Sequence, residues 1–158
     1  MILIALGANL PSAAGPPTET LRAALAALAA GGVEPVRVSG FFETVAWPDP
    51  SDPPFVNAVA EVKTKLSPSE LLHVLHKVEK RFGRRRGVPN APRTLDLDLL
   101  DYDGRVSADP PVLPHPRMQA RAFVLEPLAE IAPDWRHPVS GRTAQELLAE
   151  LSPSKSRS

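Results

Sequence analysis

The chain predicts an α+β sandwich, a mainly antiparallel sheet with helices laid against it, on three observations. Residues 55–63 alternate strictly between two faces, as a strand does. Residues 68–82 repeat their apolar side chains at helical spacing. The elements follow one another as strand, helix, strand, strand, helix, strand, with further helical segments after them.

Residues 2–6 are an apolar run stopped at Gly7 and read as a buried first strand. Residues 9–17 hold Pro11, Ser12, Gly15, Pro16 and Pro17 and form a loop. A helix is expected over 18–30, with Leu21, Leu25 and Leu28 on one stripe and Gly31-Gly32 ending it. Residues 33–44, rich in Val, Phe and Thr, read as one strand; residues 45–54, with prolines at 48, 50, 53 and 54, form a second long loop. In the strand over 55–63, Phe55, Asn57, Val59, Glu61 and Lys63 share a face, and Val56, Ala58, Ala60 and Val62 the other. Ser67, Pro68 and Glu70 make a capping box that opens the second helix, and Leu71, Leu75, Val78 and Phe82 form its core stripe up to Gly83. A loop over 84–92 leads into a strand over 94–102, and Asp103-Gly104 is expected to turn it into a short partner strand over 105–107. Residues 118–131 read as helix broken at Pro127, and Thr143 with Glu146 as a capping box for a last helix to residue 151. This order is the split βαβ pattern of ferredoxin-like folds. Residues 1–151 are expected to form one domain and 152–158 a disordered tail.

Composition removes several classes of function. The 158 residues include no cysteine, which excludes disulfides, a thiolate nucleophile and cysteine-ligated zinc. Eighteen basic side chains balance eighteen acidic ones, so bulk attraction to nucleic acid or to an anionic membrane is not expected. The apolar run at the start is too short for a targeting or spanning segment, and we expect a cytoplasmic monomer. There is no Walker loop, no dinucleotide-binding glycine motif and no serine-hydrolase elbow.

The chemistry concentrates between residues 81 and 98. On a strand, Asp96 and Asp98 point to one face while Leu95, Leu97 and Leu99 point into the core. Two neighbouring carboxylates repel each other unless a cation sits with them. That cation is either an Arg or Lys on a solvated strand or a hard metal ion such as Mg²⁺, which takes a few carboxylates together with water and phosphate oxygens. Arg81, Arg84, Arg85, Arg86 and Arg93 precede them in a loop broken by Gly and Pro. Arg matches phosphate through its planar fork, so the pair and the loop together favour a triphosphate–magnesium site over a solvated helix end or an RNA-binding loop. Phe41, Phe42, Trp47, Phe55, Phe123 and Trp135 lie near loop ends and suit either a flat ring ligand or core packing. Asn57 suits either a heterocycle or solvent. His73, His76 and Glu79 drift around their helix and do not make a zinc site.

Pro92-Arg93-Thr94-Leu95-Asp96-Leu97-Asp98 resembles the 6-hydroxymethyl-7,8-dihydropterin pyrophosphokinase family. So, in the same order, do Ala5-Leu6-Gly7-Ala8-Asn9, Phe42-Glu43-Thr44, Phe55-Val56-Asn57-Ala58, residues 71–86, Leu113-Pro114-His115-Pro116-Arg117-Met118 and Arg121-Ala122-Phe123-Val124-Leu125-Glu126-Pro127-Leu128. The resemblance implies transfer of diphosphate from ATP to the hydroxymethyl group of the dihydropterin, leaving AMP, in folate biosynthesis. It implies two Mg²⁺ ions on Asp96 and Asp98, and catalytic arginines at Arg84 and Arg93. It implies a pterin site of Thr44, Phe55, Asn57 and Phe123. For ATP it implies contacts from His76, Glu79, Arg84, Arg86, Arg93, His115 and Arg121. Pro110 and Val112 stand where relatives often carry an arginine and a threonine. The loops at 9–17, 45–54 and 83–92 are expected to close over the substrates.

Overall fold

The computed structural model describes residues 1–10, 12, 14–44, 54–83 and 95–151. Every residue of β1 (Ile2–Ala8) is buried, because the strand runs through the middle of the sheet. On one side it pairs antiparallel with β4 (Phe55–Lys63), on the other with β5 (Asp96–Tyr102). Beyond β4 lie β2 (Glu34–Val38) and β3 (Phe42–Thr44), both antiparallel to it. The order is β2-β4-β1-β5, with β3 beside β4. The α+β, ferredoxin-like expectation is what the backbone shows.

The helices α1 (Pro17–Ala30) and α2 (Pro68–Arg81) cover one face. There Ile4, Leu6, Ala60 and Leu97 meet Leu21 and Leu28 of α1 and Leu71 and Leu75 of α2. Gly32 supplies the positive φ of 87° just past the end of α1. Ser67 accepts the Glu70 N–H at 3.2 Å and Glu70 accepts the Ser67 N–H at 2.9 Å, the capping box read from the sequence. A second core lies on the opposite face. Leu3, Ala5, Val59 and Leu100 pack there against Val124, Leu125 and Leu128 of α3 (Ala122–Ile131) and Leu147 of α4 (Ala144–Leu151). The sheet is therefore covered fully on one face, while on the other α3 and α4 cover the Leu3–Ala5 end and leave the Gly7 end to the cleft described below. Trp135 belongs to this second core, and its indole N–H donates to Asp101 at 2.8 Å. No helix among the described residues is long and apolar enough to cross a membrane.

Three expectations are corrected. Residues 33–44 form two strands, because Ser39 and Gly40 interrupt the ladder. The Ser39 hydroxyl accepts the Val59 N–H at 3.0 Å, and the Gly40 N–H turns to a Glu130 carboxylate oxygen at 2.7 Å. The turn at Asp103 and Gly104 exists, with φ of 52° and 74°, yet residues 105–107 form no strand. Only Ser107 bridges Leu113, since Pro110 and Pro111 bring no amide donors to extend a ladder. Pro127 lies inside α3, and the break falls earlier, at Arg121 with φ −117° and ψ 99°. The carbonyl deprived of its partner by Pro127 belongs to Phe123, in the first turn and 40% exposed, where water can satisfy it.

Candidate active site

The end of the second face that α3 and α4 do not reach carries the predicted acids. Asp96 pairs with Gly7 of β1, which pairs in turn with Asn57 of β4. Asp98 pairs with Ala5. This register places Asp96, Gly7 and Asn57 in one row across three strands. A small cleft opens there, bounded by Gly7, Asn57, Asp96, Asp98 and Phe123. Leu95, Leu97 and Leu99 are buried on the other side of β5, as the alternation requires.

Gly7 is the residue that sequence reasoning passed over. A Cβ there would lie 2.8 Å from Asn57 Oδ1, closer than real Cβ contacts allow. The floor of the cleft is bare backbone at that point, so the Asn57 carboxamide can lie across it. Asn57 is 7% exposed, and its Nδ2 donates to Thr44 Oγ1 at 3.4 Å. The register that pairs Thr44 with Phe55 and Phe42 with Asn57 creates this contact. In the sequence the family resemblance grouped Thr44 with Asn57, without Gly7. Phe55 is half-buried on the face of β4 that carries Asn57. Phe123 projects from the first turn of α3, and Arg121 lies 5.6 Å over its ring.

The cation that paired aspartates require is partly supplied by the protein. Arg121 Nη1 stands 3.5 Å from Asp98 Oδ2, and His115 Nε2 stands 3.8 Å from Asp98 Oδ1. Of the two, Arg121 is the cation, and its guanidinium attracts the Asp98 carboxylate, while His115 lies beside it as a neutral ring. His115 Nδ1 accepts the Arg117 N–H at 3.1 Å, which puts the neutral ring's proton on Nε2, facing Asp98.

Burial first, then the Arg121 charge, push the His115 pKa from 6.5 down to about 4, with Asp96 opposing and Arg117 adding. The unfolded chain takes up that proton near 6.5, the folded chain only near 4. Between those values the unfolded state binds more protons, so stability falls as pH falls through the window. His115→Asn is expected to flatten that part of the stability–pH curve, read by urea denaturation from about pH 7 to about pH 4. An unchanged curve would show that other groups set the acid limb.

Glu79 is buried, 1% exposed, and its Oε2 accepts the Leu97 N–H at 2.7 Å. His73 and His76 are exposed on α2, whereas Glu79 is buried. Arg84, Arg85, Arg86 and Arg93, and the loop residues 45–53 and 84–94, lie outside the described residues.

A family profile described as 7,8-dihydro-6-hydroxymethylpterin-pyrophosphokinase (HPPK) matches residues 3–133. The chain belongs to the HPPK family. It is 44% identical over 151 residues to a Pseudomonas aeruginosa protein named 2-amino-4-hydroxy-6-hydroxymethyldihydropteridine pyrophosphokinase, covering 94% of this chain and 90% of that one. A Synechocystis protein of the same name is 42% identical over 151 residues, 94% of this chain and 75% of that one. The mitochondrial folate synthesis bifunctional protein of Arabidopsis thaliana is 40% identical over 131 residues, 82% of this chain and 23% of that longer one. The HPPK match spans the three strands that form the row and the start of α3, so every described site residue lies within it. HPPK enzymes use ATP as co-substrate.

Proposed function

We infer that the chain transfers the β,γ-diphosphate of ATP to the hydroxymethyl oxygen of 6-hydroxymethyl-7,8-dihydropterin, giving AMP and the pterin diphosphate in folate synthesis. The observation that carries this reading is the row of Asp96, Gly7 and Asn57, with Asp98 beside it, opening on a cleft that Phe123 borders. Acids for a metal–phosphate complex and groups for a flat heterocycle meet there on neighbouring strands of one sheet face.

The donor set fits magnesium. Asp96 and Asp98 are hard oxygen ligands on one face, and Mg²⁺ completes its shell with water and phosphate rather than with a full protein cage. Among the described residues no group of three or more ligating side chains gathers, so Asp96 and Asp98 are the only described ligands the proposal assigns. Bound there, the ions would neutralise triphosphate charge and lower the pKa of the attacking hydroxyl. The protein's own groups do the positioning. Phe123 and Phe55 offer ring faces to the pterin. Asn57 and Thr44 present both donors and acceptors to its edge. Arg121 and the neutral His115 offer N–H donors to phosphate oxygens on the Asp98 side. Arg84, Arg86 and Arg93 are assigned to the transferred diphosphate, and His76 to the nucleotide, by the family resemblance alone. No side-chain nucleophile is required, because phosphoryl-type transfer depends on alignment and charge. We place the reaction in the cytoplasm, where ATP is available, and in a monomer, since one chain supplies every residue the proposal uses.

The test is direct. The protein with ATP, magnesium and the hydroxymethyl dihydropterin should form AMP, and form none when the pterin is left out. AMP production independent of the pterin, or none at all, would reject the assignment. Gly7→Ala probes the ring subsite. The new methyl displaces the Asn57 carboxamide and is expected to raise the pterin KM about tenfold, the worth of roughly one hydrogen bond. An unchanged pterin KM would remove Asn57 from that role.

A further inference from the structure

We propose that Glu79 is a positioning residue for the two aspartates, acting through the backbone amide that lies between them. The proposal rests on Asp96 and Asp98 being the metal-holding pair. The strand that carries them, β5, is the last in the sheet order, with β1 on one side only. Alternate amides of a terminal strand face away from the sheet and need acceptors from elsewhere. The Leu97 N–H is one of these, and it donates to Glu79 Oε2 at 2.7 Å in a buried contact that reaches from α2.

The choice of residue is informative. Glu79 follows Val78 at the end of the apolar stripe of α2 that includes Leu71 and Leu75, and it is as buried as they are. A carboxylate is costly to bury, so this position favours an acceptor over an easier apolar side chain. The amide it holds is the one whose position matters most for the site. The Leu97 side chain is 2% exposed in the first core. With its amide also fixed, rotation of the strand about its axis is blocked at the residue midway between Asp96 and Asp98. Any such rotation would swing both carboxylates together, since they share the opposite face. This buried hydrogen bond thus helps to set the direction of both metal-holding groups, on a strand that among the described residues pairs on one side only.

The experiment compares Glu79→Ala and Glu79→Gln in the full chain. Steady-state rates are measured at several magnesium concentrations, and hydrogen exchange of the Leu97 amide is followed by NMR. Glu79→Ala is expected to lower kcat by at least about tenfold, the scale of a misplaced catalytic group, and to raise the magnesium needed for half-maximal rate. Glu79→Gln keeps an oxygen that can accept the Leu97 N–H and should recover most of that loss. The Leu97 amide should be protected in the unaltered protein and in Glu79→Gln. Three results overturn the proposal: Glu79→Gln as impaired as Glu79→Ala, Glu79→Ala changing only the ATP KM, or a Leu97 amide in the unaltered protein exchanging as fast as an exposed one. Should Glu79→Ala fail to fold, the glutamine variant and the Leu97 exchange decide. An unaltered chain that makes no AMP overturns the proposed function and this positioning role together, whereas a fast Leu97 amide in an active enzyme overturns the positioning role alone.

Discussion

Asp96→Ala and Asp98→Ala are each expected to reduce kcat by at least about a thousand-fold, about 4 kcal/mol of transition-state stabilisation. The reason is the electrostatics of the cleft. Four negative charges on a triphosphate cannot approach two carboxylates on one strand face unless cations lie between them. Remove one acid and the metal site loses half its protein ligands, while the barrier to diphosphate transfer regains its charge repulsion. The fold should survive. Both aspartates sit on the half of the face that α3 and α4 leave uncovered, and neither belongs to a core cluster. Thermal melts near those of the unaltered protein, together with the lost turnover, are the expected pair of readings. Near-normal turnover in either variant would withdraw the metal assignment.

The second large effect is on stability. Leu125 is fully buried in the second core, where α3 lies on Leu3, Ala5 and Val59 of the sheet. Leu125→Ala should cost about 2–5 kcal/mol, from lost burial plus the cavity left behind. For a chain of this length that lowers Tm by roughly 5–20 °C. The loss has a functional side. Arg121 occupies the position before the first turn of α3, beside Asp98, and Phe123 stands in that turn at the cleft, so the helix that holds the second core also positions two groups near it. Activity should therefore fall before global unfolding as temperature rises, and a parallel assay of turnover and circular dichroism reads this. A Tm within about 2 °C of the unaltered protein would mean the site collapses readily around the smaller side chain.

What the sequence makes legible depends on the range of the interaction. The capping boxes at Ser67 and Thr143 are local, four residues long, and stand as read. The alternation from Leu95 to Leu99 is local too, and it correctly divides the core leucines from the two aspartates on the opposite face. The break at Ser39 and Gly40 was not legible, because it depends on Glu130 and Val59, far off in the chain, offering hydrogen bonds. The helix through Pro127 was not legible either, since whether the orphaned Phe123 carbonyl meets water is a tertiary matter. In the site, the acids declare themselves by residue type and spacing. Gly7 acquires meaning only from a register in which it lies between Asn57 and Asp96. His115 and Arg121 beside Asp98 likewise follow from folding, and only the family resemblance pointed to them in the sequence.

A crystal structure of the chain with magnesium, a non-hydrolysable ATP analogue and the dihydropterin tests the claim on which the rest depends. The expected result is two metal ions seated between Asp96, Asp98 and the phosphate oxygens, with the pterin against Asn57 and Phe123. Aspartates turned away from the ions, or nucleotide bound with no ion beside them, would contradict it.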